Sequence, residues 1–175
     1  MILKEVKNLY KIVTLTKLRR TKNVQFDALD TSSMPHIDGF DRVIHAPGAI
    51  SPGSVGNVKH PWYMHPHQED NLMVLYGTRE IDLYTPKHGR VEHFSVTADH
   101  VCHNGEDCYS GAAMLVWPCN VFHRIISSPE NGSASINFAV RYDGFDIKTN
   151  FNIYDLNTET GEFAVIREGH LDQNL

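Results

Sequence analysis

The chain has 175 residues, room for one domain with a sizeable core and too few for two ordinary ones. Its 41% apolar and 21% charged residues are those of a soluble globular protein, and no apolar run approaches the roughly 20 residues of a membrane span. A formal charge of −5 leaves no electrostatic footprint for nucleic acid, and the lysine-dotted N-terminus does not resemble a signal peptide. Three cysteines without such a signal (Cys102, Cys108 and Cys119) argue for a reducing, cytoplasmic setting and against a disulfide framework.

In chain order, the first 30 residues are ambiguous. IVTLTKL fits a strand or a helix, and KLRRTK (17–22) reads as a solvated turn between strands. From there Gly and Pro punctuate the chain in PHIDG, APGAISPGSVG, TPKHG, HNGED, SPENGS and YDG. Between these breaks lie short segments rich in β-branched and aromatic residues: NLMVLYG (71–77), REIDLYT (79–85), AMLVWP (113–118), FHRIIS (122–127) and SINFAVRY (135–142). Short strands at regular spacing predict an all-β protein, a sandwich or a closed barrel. FNIYDL (151–156) and EFAVIRE (162–168) flank NTETG and predict a C-terminal β-hairpin.

Chemistry concentrates in HPWYMHPHQED (60–70). Residues i and i+2 of a strand share a face, with α-carbons about 6.5–7 Å apart, so His65 and His67 would stand side by side. Pro66 removes a ladder donor, which places the pair at the start of a strand or on an irregular edge. The chain then turns through Gln68-Glu69-Asp70 into an apolar return strand, and a carboxylate at its start can lie opposite the imidazoles. Asp70 is the first choice and Glu69 the competing one. Two imidazoles and a carboxylate suit Fe(II), Mn(II), Ni(II), Zn(II) or Co(II). A further ligand should come from elsewhere, and His123 is the best candidate; alone, flanked by Phe122 and Ile125, it reads as an ordinary core histidine.

Together the two segments resemble the two motifs of the cupin superfamily. The first appears as His65-Pro-His67, then Asp70, then six residues to Gly77; the second as Gly111, six residues, Pro118-Cys-Asn120, two residues, His123, three residues, Ser127. The second departs from the family pattern at Asn120, where glycine is usual, and at Ser127, where asparagine is usual. The resemblance implies an antiparallel double-stranded β-helix, the jelly-roll barrel, over residues 45–145. An N-terminal extension (1–44) would pack on it, and a C-terminal hairpin and tail (146–175) would pair across a homodimer. It also implies one divalent transition metal (Fe, Mn, Ni or Zn) held by His65, His67, His123 and Asp70 or Glu69. The leading expectation is Fe(II)-dependent, dioxygenase-like chemistry on a small oxygenated molecule. The alternatives are a metal-dependent isomerase or lyase, or a non-catalytic small-molecule binding or sensing protein.

Around such a site Tyr63 and His60 are candidate proton donors, and Arg141 and Tyr76 candidate substrate contacts. Period alone does not say whether Arg141 or Tyr142 faces inward. The segment DHVCHNGEDCYSG (99–111), with His100, Cys102, His103 and Cys108, only loosely resembles a zinc site, because its cysteine spacing matches no common structural pattern. It reads as a histidine-rich excursion turning at Asn104-Gly105. Cys119 reads as a small buried filler near the site.

Overall fold

Hydrophobic alternation sorts the apolar segments into two facing sheets. The computed structural model describes residues 1–173. Its strands in chain order are β1 (Ile2–Val6), β2 (Tyr10–Thr14), β3 (Thr16–Thr21), β4 (Val24–Ala28), β5 (Gly39–His45), β6 (Ile50–Ser51), β7 (Trp62–Met64), β8 (Gln68–Gly77) and β9 (Arg79–Tyr84). They continue with β10 (Glu92–Val96), β11 (His100–His103), β12 (Glu106–Ser110), β13 (Ala113–Trp117), β14 (Phe122–Ser127), β15 (Ser133–Arg141), β16 (Ile153–Leu156) and β17 (Phe163–Arg167), with a one-turn helix α1 (Ile147–Asn150) before β16. One sheet runs β1-β2-β13-β8-β15-β5 and the other β12-β11-β10-β9-β14-β7-β16-β17, with β6 against β14 and β3-β4 as a separate hairpin. The result is the expected antiparallel jelly-roll barrel.

Strand β13 shows how the layers form. All five of its residues are buried, because both of its faces are covered. Ala113, Leu115 and Trp117 join Leu72, Val74, Ile81, Leu83, Phe94, Val96 and Ile125 between the sheets. Met114 and Val116 pack on the opposite face with Val13, Met34 and Val140. A third cluster, Trp62, Met64, Tyr84, Phe122, Tyr154 and Leu156, covers the outside of the second sheet. Each large apolar side chain buried this way contributes about 1.5–3 kcal/mol. On β14 the alternation sends Phe122 into that outer cluster and leaves His123 and Ile125 facing inward.

The N-terminal stretch is mostly extended, interrupted by one short 3-10 turn at Thr31–Ser33, and β2 pairs with β13 of the barrel. Strand β5 runs through the boundary expected at 44–45 and forms the far edge of the first sheet. The C-terminal hairpin forms where expected, and β16 pairs with β7 of the same chain, matching Tyr154 to Trp62. The turn at Asn104-Gly105 has positive φ at both residues (52° and 81°), the requirement of a two-residue hairpin. Asn120, standing where the motif has glycine, takes φ 65°, which asparagine tolerates better than most residues. No helix among the described residues is long and apolar enough to cross a membrane.

Candidate metal centre

The end of β7 and the start of β8 build one side of the site. Met64 closes β7 and Gln68 opens β8, so His65-Pro66-His67 form the connection. His65 is turned inward and buried, with 4% of its surface exposed. The regular β8 then sends Gln68, Asp70 and Leu72 to the barrel interior, and β14 brings in His123, also 4% exposed. Ligand atoms of His65, Asp70 and His123 all lie within 4.8 Å of one another.

Hydrogen bonds fix how these three groups face. His65 Nδ1 bonds the carbonyl of Asn150, at the end of α1, whose start is capped by Asp146 accepting from the Lys148 amide. His123 Nδ1 lies 3.2 Å from the Val121 carbonyl. A carbonyl oxygen only accepts, so both Nδ1 atoms carry their protons, and in a neutral ring each Nε2 presents its lone pair. Both Nε2 atoms face one carboxylate oxygen: Asp70 Oδ2 is 3.2 Å from His65 and 3.9 Å from His123. The other oxygen, Oδ1, is held by Gln68 Nε2 at 2.8 Å and Asn137 Nδ2 at 2.7 Å.

The electrostatics follow from this crowding. Burial opposes charge on His65, yet the Asp70 carboxylate and the Asn150 carbonyl pull its pKa above the ordinary value. Burial also opposes charge on Asp70, but His65, His123 and the Gln68 amide hold its carboxyl well below the usual carboxylate range. Burial, and then His65, push His123 down to about 4. With no ion bound, these effects favour a proton shared between His65 and Asp70. Two neutral Nε2 donors and one oriented carboxylate oxygen, with second-atom hydrogen bonds already made, also constitute the donor set of a divalent transition metal, and the residues present fit such an ion.

Aromatic rings wall the cluster. Tyr63 stacks near His65 (centroids 6.4 Å) and lies 5.9 Å from His123; Phe151 meets His65 edge-on at 5.0 Å, and Trp117 lies 5.1 Å from His123. Burial, and then the Asp172 charge, keep the Tyr63 phenol protonated above its usual range. The cavity, about 330 Å³, extends from this cluster past Asp41, Asn137 and Ile125 to Arg79 and His45. A larger groove of about 780 Å³, lined by Lys7, Leu9, His88 and Cys119 among others, shares no lining residue with it.

Of the residues singled out in the sequence, His65, Asp70, His123 and Tyr63 meet here. His67 does not: it is exposed and lies beside Gly144, because Pro66 and the β7–β8 connection break the strand alternation that would have aligned it with His65. Glu69 is one residue out of phase in β8 and points to the other face of the sheet, where Asn71 Nδ2 reaches it at 3.3 Å. His60 is exposed and offers only its carbonyl, to Arg124. Tyr76 is 57% exposed near the end of β8. Arg141 faces away from the cavity, with its guanidinium 4.3 Å from the Phe145 ring. The cysteine–histidine excursion divides. His100, Cys102 and Asp107 come together on the exposed β11–β12 hairpin, while His103 turns to Glu92 at 2.7 Å. Sequence reasoning missed Gln68, Asn137, Phe151 and Arg79. A signal existed for the last, since Arg79 is in phase with the core residues Ile81 and Leu83 on β9.

No family model matches the chain, and no curated protein matches it in sequence. Solved structures match its fold. A TDP-quinovose 3,4-ketoisomerase from Campylobacter jejuni is 18% identical over 79% of this chain and 90% of its own, with a TM-score of 0.52. A sugar 3,4-ketoisomerase from Thermoanaerobacterium thermosaccharolyticum, solved in complex with TDP, is 12% identical over 81% and 85%, with a TM-score of 0.57. A 3,4-ketoisomerase from Helicobacter canadensis is 16% identical over 77% and 86%, with a TM-score of 0.52. At these identities the likeness is one of fold, and the fold is that of the cupins.

Proposed function

We propose that this chain is a cupin-type isomerase that moves a proton between neighbouring carbons of a small hydroxycarbonyl compound, with a divalent transition metal held by His65, Asp70 and His123. The observation that carries the reading is the convergence of both Nε2 atoms on Asp70 Oδ2 while both Nδ1 protons are committed to main-chain carbonyls. Bound there, such an ion supplies Lewis acidity to a substrate carbonyl or hydroxyl oxygen. Support for isomerisation over oxygen chemistry comes from the fold neighbours, which are described as sugar 3,4-ketoisomerases.

The chain's own residues supply the rest. Tyr63, protonated and against both imidazoles, is placed to give a proton to a substrate oxygen near the cluster. Asp41 is the cavity carboxylate outside the cluster, oriented by Asn137 at 3.1 Å, and is the group available to take a proton from carbon. Phe151 and Trp117 restrict water around His65 and His123.

The test is elemental mass spectrometry on tag-free protein, together with incubation of TDP-linked keto sugars in deuterated water. The expected result is near one equivalent of metal, lost in Asp70→Asn, and deuterium entering substrate carbon in the wild type but not in Asp41→Asn. Absence of both metal and exchange, after reconstitution, would sink the proposal. Two histidines and one carboxylate are also the donor set of non-haem iron oxygenases, so oxygen uptake by the iron-loaded protein without deuterium exchange would favour that second reading.

A further inference from the structure

Arg79 is 1% exposed and lines the same cavity as the histidine cluster. Short ion pairs join Arg20 to Asp27, Arg90 to Glu92, Arg124 to Asp82 and Arg167 to Asp172; among the described residues Arg79 has no carboxylate within 4.0 Å. Its hydrogen bonds go to neutral oxygens, Nε to Ser133 Oγ at 2.9 Å and Nη2 to the Val43 carbonyl at 3.2 Å. No hydrogen bond to the described residues occupies Nη1. Asp41 is on the same wall and hydrogen-bonds Asn137, but it makes no ion pair with Arg79 within 4.0 Å. A buried guanidinium without a counter-charge costs several kcal/mol, a cost that an anionic ligand at this site would offset.

Its surroundings are built for an anion. Ser133 and Ser127 hydroxyls are 2.7 Å apart, and Ser127 meets His45 Nδ1 at 2.9 Å, so a polar chain braces the guanidinium from behind. His45 adds no competing carboxylate and, pushed down to about 4 by burial and then by Arg79, stays neutral at physiological pH. Ser127 sits opposite Arg79 in the β14–β9 register and four residues beyond His123, about 13 Å along the strand. Arg79 and the histidine cluster line the same 330 Å³ cavity, so one ligand in it has both within its walls.

We propose that Arg79 forms an oxyanion-binding subsite at the far end of this cavity, and that the ligand of the cavity carries a carboxylate or phosphate group. The inference rests on the cavity being the ligand site of the proposed isomerase, but on neither its metal nor its reaction. The fork of Nη1 and Nη2 suits bidentate contact with either group.

The experiment is calorimetric titration of tag-free protein with glycerate, glycerol phosphate and glycerol, probes that share a skeleton and differ in charge. Glycerate and glycerol phosphate should bind, with the better of the two naming the anion, and glycerol should bind at least tenfold more weakly. Arg79→Gln should lose at least tenfold for the charged probes, and Arg79→Lys should fall between, because it keeps the charge without the fork. Equal binding of glycerol, or unchanged affinity in folded Arg79→Gln, overturns the proposal. Since a buried substitution can impair folding, the wild-type Arg79 Nε–H resonance gives an independent readout: it should shift on glycerate titration, and no shift overturns the idea. Arg79-dependent glycerate binding by a wild type that holds no metal and exchanges no deuterium would sink the function proposed above and leave this subsite standing.

Discussion

Two main-chain carbonyls decide what His65 and His123 can do. By fixing the Nδ1 protons they aim both Nε2 atoms at Asp70 Oδ2, and the amides of Gln68 and Asn137 keep that carboxylate from rotating away. Metal content should therefore vanish in His65→Ala, His123→Ala and Asp70→Asn and be unchanged in His67→Ala. Asn137→Ala should weaken metal affinity about 10- to 100-fold, the usual loss when an outer partner is removed. Elemental analysis and chelator competition check this; retained metal in His123→Ala, or loss in His67→Ala, would contradict it. The resemblance to the two cupin motifs pointed to His65, Asp70 and His123, but could not exclude His67. The i, i+2 rule needs a continuous strand, and Pro66 sits where the strand stops. The choice of Asp70 over Glu69 needs the phase of β8, which depends on its pairing with β13 and β15. Arg79 was readable as a charged residue on the buried phase of REIDLY, although its lack of a partner is a three-dimensional fact.

Among elements, the segment most at odds with a loop reading is the histidine-rich excursion, which forms strands β11 and β12 and is tied to β10 by one carboxylate. Glu92, 1% exposed, receives His88 Nε2 at 2.6 Å, Arg90 Nε at 2.7 Å, His103 Nε2 at 2.7 Å and Asn104 Nδ2 at 2.7 Å. Burial alone would raise its pKa; the donors, His88 foremost, overcome that and hold it at about 2, below its ordinary 4.5. A carboxyl whose folded pKa is depressed binds more protons when unfolded. Its contribution is thus complete above about 4.5 and fades as pH falls toward 2. Glu92→Gln should cost about 1–3 kcal/mol in urea unfolding at pH 7, and the gap to wild type should narrow at pH 3. An equal deficit at both pH values would show that Glu92 does not act through its charge. The N-terminal strands were illegible for a different reason. Every residue of β3 is exposed, so TKLRRT carries no buried phase to read, and β1 is nearly as exposed.

Across the whole molecule, the centre draws on segments far apart in sequence: the β7–β8 connection at His65, β8 at Asp70, β14 at His123 and the end of α1 at Asn150. An unfolded chain does not bring these donors together, so an ion bound by them binds the native state selectively and stabilises it by mass action, about 2.7 kcal/mol at a hundred times Kd. For a chain of this length that corresponds to a rise in Tm of about 5–10 °C. Thermal unfolding of chelator-stripped protein with Fe(II), Mn(II), Ni(II) or Zn(II) should show such a rise for at least one ion. Asp70→Asn should show none. In stripped protein the substitution should also lower Tm, because it removes the carboxylate that supports the His65 charge in the buried cluster. A metal-dependent rise that persists in Asp70→Asn would place the ion elsewhere, with the exposed His100, Cys102 and Asp107 group as the next site to mutate. No rise with any ion, while Asp70→Asn still lowers Tm, would make His65 and Asp70 a metal-free charge pair, and proton transfer would then fall to the His65 imidazolium itself.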